Sequence, residues 1–162
     1  ALPLAVAAAA AAFAIVPAQQ TMRTKGVDGF SARIAVQRGG QIQWLSSTQE
    51  LHAQDRVQLE LNDPLGGWVA VLLETEAGEV SVLYAPEELG EFGPGVHRLK
   101  DSFVLDDAGG RERLHIVSSE VRFAAKSLQA ELQKASKRGF NHGWLPGAGV
   151  RHLSFEWVKV IP

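Results

Sequence analysis

Apolar and polar residues alternate along several short stretches of this chain. A period of two is the pattern of a β-strand with one buried face and one face turned to water. The stretches that alternate in this way, or that have the length and composition of short strands, are 30–38, 41–45, 56–61, 80–84, 96–99, 102–105 and 113–118. The chain is therefore expected to be rich in strands, with Gly39-Gly40 forming a tight hairpin turn between the first two.

The centre of the pattern is the region 56–84. The stretch 68–73 is apolar on both parities, which is typical of a strand that is covered on both faces. It is preceded by 62–67, which is rich in Asn, Asp, Pro and Gly, and followed by the polar run 74–79, so that the chain is predicted to reverse twice. The region is accordingly predicted to form a three-strand meander.

One amphipathic helix is predicted near the C-terminus, between Val121 and Arg138. Its apolar stripe recurs at intervals of three and four residues, and it consists of Ala125, Leu128, Leu132 and Ala135. Ser118 or Ser119 is expected to cap its start, and Gly139 is a natural stop.

Two more segments complete the pattern. The run 85–95 is rich in Gly, Pro and acidic residues and is predicted to be an exposed, mobile loop. The final stretch, 152–160, alternates until Trp157 and Val158, where two apolar residues adjoin. A strand with a β-bulge at that point is the expected structure.

These elements together predict a mainly β fold. Short strands joined by Gly and Pro turns, with one late helix, are typical of an antiparallel β-sandwich, Ig-like or jelly-roll-like, with the helix packed on one edge. An open barrel is the next choice. The sandwich domain is expected to span 30–162, with 19–29 as a linker.

The amino-terminal residues 1–18 differ in kind from the rest, because they are almost wholly Ala, Leu, Val, Ile and Phe. As a helix, 1–16 would be about 24 Å long, against about 30 Å for the hydrocarbon core of a bilayer. Additional apolar residues upstream would complete a transmembrane anchor. The alternative is a signal peptide cleaved before Gln19, and the remaining choice is a buried soluble helix.

Both leading interpretations place the domain outside the cytoplasm. The first gives a single-pass protein of the inner membrane, attached through 1–16, with its C-terminal domain in the periplasm. The second gives a secreted or periplasmic protein.

Composition excludes several classes of function. The chain has 162 residues, a formal net charge of -2 and no basic stripe, which argues against nucleic acid as a partner. Without any cysteine it has no disulfide, no thiolate metal site and no cysteine nucleophile.

No catalytic, cofactor or metal pattern is visible either. The five histidines are scattered, and the tightest pairing places His152 and Glu156 on one side of a strand, on a face expected to be solvated. His115 falls opposite the apolar face of its strand and is interpreted as an ordinary surface or core residue. The expectation is therefore a protein that is not an enzyme and that holds no cofactor and no metal.

Two tryptophans are candidate ligand contacts. Trp44 and Trp144 lie outside the clearest apolar faces, and an exposed indole on a sandwich can stack on a sugar or a peptide. Trp68 and Trp157, by contrast, fall on apolar faces and are assigned to the core.

One segment is more specific than composition. The run 105–114 reads L-D-D-A-G-G-R-E-R-L, and it resembles a signature of the extracytoplasmic domains of ActD-like and anti-sigma-factor-like single-pass bacterial membrane proteins, a group that overlaps a bacterial domain of unknown function. Further similarities run in the same order, and they comprise the apolar segment followed by 23–26, the strands within 57–83, and the closing motifs 145–147 and 153–156.

The resemblance implies an extracytoplasmic β-sandwich tethered by one helix, and in anti-sigma factors a cytoplasmic amino-terminal segment that grips a sigma factor. It offers no catalytic residues. The signature residues are expected to maintain the fold, and they are Asp106, Asp107, Gly110, Glu112 and Arg113.

The functional hypothesis is a non-enzymatic sensor or interaction domain whose partner is a protein or an envelope component. The alternatives are a periplasmic ligand-binding module for glycans or peptides, and a structural or assembly protein of the envelope.

Overall fold

The computed structural model describes residues 23–25, 27–46, 50–140 and 143–161. They form twelve strands and two α-helices, with one 3-10 turn at Val27–Gly29. The strands are β1 Arg23–Lys25, β2 Ser31–Arg38, β3 Gln41–Trp44, β4 Leu51–His52, β5 Arg56–Asp63, β6 Gly67–Thr75, β7 Val80–Tyr84, β8 Glu91–Phe92, β9 Gly95–Arg98, β10 Phe103–Val104, β11 Gly110–Ser119 and β12 Val150–Val160. The helices are α1 Pro86–Leu89 and α2 Ala125–Ser136.

The strands make two sheets. Sheet A is centred on the antiparallel pair β2 and β5; β1 and β3 lie along the outer edge of β2, and β9 and β10 lie along the outer edge of β5. Sheet B has the order β4-β12-β11-β6-β7, with β8 also paired to β6. Its pairs are antiparallel except for β4 with β12, which run parallel.

The two sheets share one apolar core. Sheet A contributes alternate residues of β2 and β5, such as Ile34 and Leu59, and sheet B contributes alternate residues of β6, β11 and β12, such as Leu114 and Phe155. Because side chains on a strand alternate between faces, the residues between these positions point away from the core. Each sheet therefore has an inner face and an outer face.

The outer face of sheet B carries a further layer. Helix α2 packs its predicted stripe of Leu128, Leu132 and Ala135 on Leu72 and Val117 of the sheet. The architecture is thus mainly β, with two sheets around one core and one helix laid on the outside of sheet B.

The predicted meander is wrong in its first half. The strands β6 and β7 do form an antiparallel pair, but β5 belongs to sheet A and pairs with β2, whereas β6 belongs to sheet B and pairs with β11. The run 62–67 therefore carries the chain from one sheet to the other. The hairpin between β2 and β3 at Gly39-Gly40 is confirmed.

The predicted bulge in the last strand is also wrong. The strand β12 pairs with β11 without a shift of register from Val150 to Lys159. Its inward positions continue through Trp157 to Lys159, while Val158 points outward and is 52% exposed. The adjoining apolar residues Trp157 and Val158 led to the prediction of a bulge, because that prediction did not expect Lys159 at an inner position.

Two local predictions need correction. Helix α2 begins at Ala125 after an extended Ala124 and has no side-chain cap, because Ser118 and Ser119 are the last residues of β11. The run 85–95 is not an irregular loop, since it contains α1 and β8.

The predicted anchor or signal segment, 1–18, lies outside the described residues. Within the predicted linker, 23–25 forms β1, which pairs with β2. In the parts of the chain that the structure describes, no helix combines the length and the apolar character needed to cross a bilayer.

Candidate functional site

An imidazole pair, in which His115 is buried and His152 is half-buried, lies on the outer face of sheet B, beside the end of α2. The Nε2 atom of His115 lies 2.9 Å from an Oε2 oxygen of Glu74, and its Nδ1 atom lies 3.0 Å from Nε2 of His152. The strand register brings them together, because His115 on the central strand β11 stands between β6 and β12. Trp144 closes the cluster, with its ring edge-on to both imidazoles at 5.3 Å.

The electrostatics of this cluster favour neutral imidazoles at pH 7. Burial and the nearby charge of Arg113 lower the pKa of His115 to about 4. Burial, together with the charges of His115 and Arg113, lowers the pKa of His152 to about 4. Burial also raises the pKa of Glu74. With Glu74 ionised, His115 donates from Nε2 and accepts at Nδ1, so that His152 donates from its Nε2 atom.

An arginine joins the cluster to the segment that covers it, which comprises residues 137–140 and 143–149. Arg113 donates to the backbone oxygen of Phe140 at 2.7 Å and to Glu156 at 2.7 Å, and its guanidinium lies 4.5 Å from the centre of the Phe140 ring. It also stands 3.6 Å from Glu74. The same side chain therefore neutralises two carboxylates and holds the covering segment on sheet B.

Chemically, a carboxylate behind an imidazole can orient a general base. In this cluster, however, His115 faces a second imidazole, and a buried Trp144 occupies the space in front of both rings. The arrangement fixes the imidazole tautomers and pins the covering segment, and it presents no nucleophile to a substrate. Sequence reasoning placed His152 and Glu156 on one solvated face, and Glu156 is exposed, but it missed the partial cover of His152, because that cover comes from another part of the chain.

The signature residues gather around a buried lysine at one end of the core. The Nζ atom of Lys159 donates to Glu112 at 2.6 Å and to Asp106, and Glu112 also accepts from the indole of Trp157 at 2.9 Å. Burial opposes the charge of Lys159, but these carboxylates outweigh it and raise its pKa. A buried cation is stable only when it is paired and hydrogen-bonded in this way.

The remaining signature residues lie outside this ion cluster. Asp107 accepts a hydrogen bond from Gln54 at 2.7 Å, Gly110 begins β11 with a φ of 125°, and Arg113 belongs to the imidazole cluster. The structure therefore brings Asp106 and Glu112 together and places Arg113 on the opposite face of the sheet. Lys159 is the member that sequence reasoning missed.

A second ion cluster lies at the other end of the core. Arg151 donates to Asp63 at 3.0 Å, to Ser118 at 2.9 Å and to the backbone oxygen of Gly66 at 2.6 Å. Ser118 also donates to Asp63, and the other Asp63 oxygen accepts from the backbone of the 62–67 connection. All three side chains are buried, so the cluster ties the connection between the sheets to β11 and β12.

Both candidate ligand tryptophans are buried. Trp144 packs against the imidazole pair, and Trp44 lies on the outer face of sheet A beneath the guanidinium of Arg33, whose Cζ is 3.9 Å from the ring centre. The indole nitrogen of Trp44 has no hydrogen-bond acceptor. Neither ring offers an open face for stacking in this conformation. Of the two tryptophans assigned to the core, Trp157 lies there, whereas Trp68 is half-buried beside Arg122.

A pocket of about 430 Å³ opens at the end of the molecule where β5 passes to β6. Its apolar lining comes from Leu65, Phe92 and Pro94, and Glu91 and Glu120 add two carboxylates. Leu65 is 47% exposed, and Val121, directly after Glu120, is 74% exposed. We call this surface the loop-end pocket. It combines exposed apolar area with negative charge, which suits a partner that offers an apolar side chain next to a basic one.

Among the residues that the structure describes, no three His, Asp or Glu side chains converge in a way that could hold a metal ion. The chain matches no protein-family model, no curated protein and no solved structure. Its function has to be argued from its own residues and surfaces.

Proposed function

We propose that this chain is the extracytoplasmic interaction domain of a single-pass membrane protein, built as a β-sandwich and binding a protein partner without catalysis. The loop-end pocket is the observation that carries the proposal. Its lining combines the exposed Leu65 with the carboxylates of Glu91 and Glu120, and the exposed Val121 directly follows Glu120. Leu65 and Glu120 lie on connecting segments, where binding residues are commonly found.

Three further observations support the proposal. The apolar sequence 1–16 suits a membrane anchor. The resemblance of 105–114 to extracytoplasmic domains of anti-sigma-factor-like proteins suggests the same arrangement. In the buried clusters, Lys159 and Arg151 pair with carboxylates and His115 is hydrogen-bonded to Glu74, as expected of residues that stabilise a fold.

A module that uses Trp44 or Trp144 to bind a glycan or a peptide has less support. Both indoles are almost fully covered by the chain's own side chains, so a ligand would have to displace Arg33 or the covering segment before stacking.

The test is co-purification of partners with the full chain from detergent-solubilised membranes, followed by mass spectrometry. The variant L65D/V121D places charge on the loop-end pocket, and V158D makes the same change at an exposed valine on the outer face of sheet B. We expect a protein that is recovered with the wild type and with V158D to be lost with L65D/V121D. Equal recovery with all three proteins would overturn the assignment of the pocket.

A further inference from the structure

The outer face of sheet A combines positive charge with exposed valines. Arg33, Arg56 and Arg98 project from it, and among the described residues of its strands Glu60 is the only acidic side chain on this face. These four described side chains carry a net charge of +2, whereas the whole chain has -2. The face is therefore basic on an acidic protein.

Two exposed valines lie between these charges. Val96 pairs with Asn62 and Val104 pairs with Arg56, so both point outward with the arginines. Val96 is 65% exposed and Val104 is 47% exposed. A mixture of arginines with exposed apolar side chains is characteristic of surfaces that lie in the headgroup region of a membrane.

The arginines are only partly neutralised within the face. Glu60 accepts from Arg33 at 2.6 Å and from Arg98 at 3.0 Å, so one carboxylate is shared by two guanidinium groups. Burial alone would raise the pKa of Glu60, but these hydrogen bonds lower it, and the carboxylate stays ionised. One carboxylate does not balance the three arginines, so positive charge remains for an anionic partner. Each guanidinium also has five N–H donors, some of which can bind that partner.

The length of the chain limits the distance between this face and the apolar segment. Strand β1 lies at the edge of sheet A, where Arg23 pairs with Arg33. The six residues 17–22 separate Val16 from Arg23, and seven residue steps span about 25 Å at most. If 1–16 lies in a bilayer, the edge of sheet A cannot be farther than this from the end of the apolar segment.

Trp44 adds an independent observation. The indole nitrogen of Trp44 is buried beneath Arg33 and has no hydrogen-bond acceptor. Trp44 pairs with Ala35, and Arg33 lies two residues before Ala35 on β2. Movement of Arg33 toward a phosphate would uncover this N–H group, which could then donate to a lipid ester oxygen. Tryptophan side chains are enriched at this depth of a membrane because one part of the ring is apolar and the other is a donor.

We propose that the outer face of sheet A lies on the anionic surface of the membrane, with Arg33, Arg56 and Arg98 bound to lipid phosphates and Val96 and Val104 in the headgroup layer. This inference rests on the proposed anchoring through 1–16, because the anchor holds the face near the lipid. Each arginine contributes about a fivefold gain in the docked population over the undocked one. None of the five residues proposed to contact the membrane lines the loop-end pocket.

The absence of cysteine makes the experiment direct. Single variants V96C and V104C place a label on the face, and S127C places the same label on the exposed side of α2 as a matched control. The full chain is reconstituted into nanodiscs of phosphatidylcholine alone or mixed with phosphatidylglycerol. An environment-sensitive fluorophore on each cysteine reports contact with lipid, and a lipid-borne quencher confirms it.

We expect the labels at 96 and 104 to shift to the blue and to be quenched only in discs with phosphatidylglycerol, while the label at 127 stays unchanged. High salt, or R33Q/R56Q/R98Q in the same chain, should remove the shift. Equal signals at all three positions would overturn the inference while leaving the anchor in place. Protection of 96 and 104 in both kinds of disc would indicate a second copy or a protein partner, and would also overturn it. A chain that does not enter the discs at all would overturn the anchoring itself.

Discussion

Acidification should destabilise this protein in a pH range set by the imidazole pair. His115 and His152 have a pKa of about 4 in the folded protein, against 6.5 for an ordinary histidine. The unfolded chain therefore binds more protons than the folded chain between these two values, and stability falls as the pH falls through that range. Each imidazole contributes a slope of about 1.4 kcal/mol per pH unit, so that the loss at pH 5 is about 2 kcal/mol for each.

Other groups act mainly at lower pH. The carboxylates of Asp55, Glu60 and Glu156 have a lowered pKa, so their contribution is lost only below the ordinary range of carboxyl groups. Glu74 works in the opposite direction, because its raised pKa makes its protonation favourable in the folded state. This contribution falls above the ordinary range of carboxyl groups and partly offsets that of the imidazoles, so the comparison of the wild type with a variant that lacks both imidazoles isolates the pair.

The assay is urea denaturation of the full chain at several pH values between 5 and 8, with the free energy of unfolding obtained by linear extrapolation. The variant H115Q/H152Q removes both titrating imidazoles and should lose the fall in stability that the wild type shows between pH 6.5 and 5. The control L132A keeps both imidazoles and should be less stable at every pH with an unchanged slope. A wild type whose stability is constant from pH 7 to 5, or a double variant with the wild-type slope, would refute the reasoning.

Three substitutions, with K134A as a control, test the packing. K159M leaves Glu112 buried without its cation and should cost about 3 to 5 kcal/mol of unfolding free energy; a loss below about 1 kcal/mol in denaturation would contradict the buried pair. L132A removes a fully buried side chain of α2 and should cost about 2 to 5 kcal/mol, whereas K134A on the exposed side should stay within about 0.5 kcal/mol. G67A should lower the melting temperature sharply, because its φ is 123° and a Cβ would overlap a backbone oxygen of β11; an unchanged melting temperature would count against this close approach.

The period-two pattern predicted the strands well where apolar residues alone fill the inner face. In β2 the inner positions are Ala32, Ile34 and Val36, and the prediction from parity is confirmed. The pattern failed in β12, where Lys159 occupies an inner position. No local rule distinguishes an inward lysine from an outward one, because its burial depends on Glu112 and Asp106 from distant segments.

For a similar reason, the sequence did not predict which of the two sheets each strand joins. The residues 62–67 predict a change of direction, but not whether the next strand pairs with β5 or crosses to the other sheet. That choice depends on Arg151 and Ser118, whose bonds to Asp63 fix the connection against sheet B. The imidazole pair was missed because three strands and the covering segment build it together.

The parallel pairing of β4 with β12 bears on how the chain reaches its folded state. Leu51 pairs with Lys159 and His52 with Val160, so that an early strand finds its neighbour only in the last residues. The same terminal strand also pairs along its whole length with β11. During synthesis, sheet B therefore cannot be completed until β12 has left the ribosome, and pairings between distant segments form slowly.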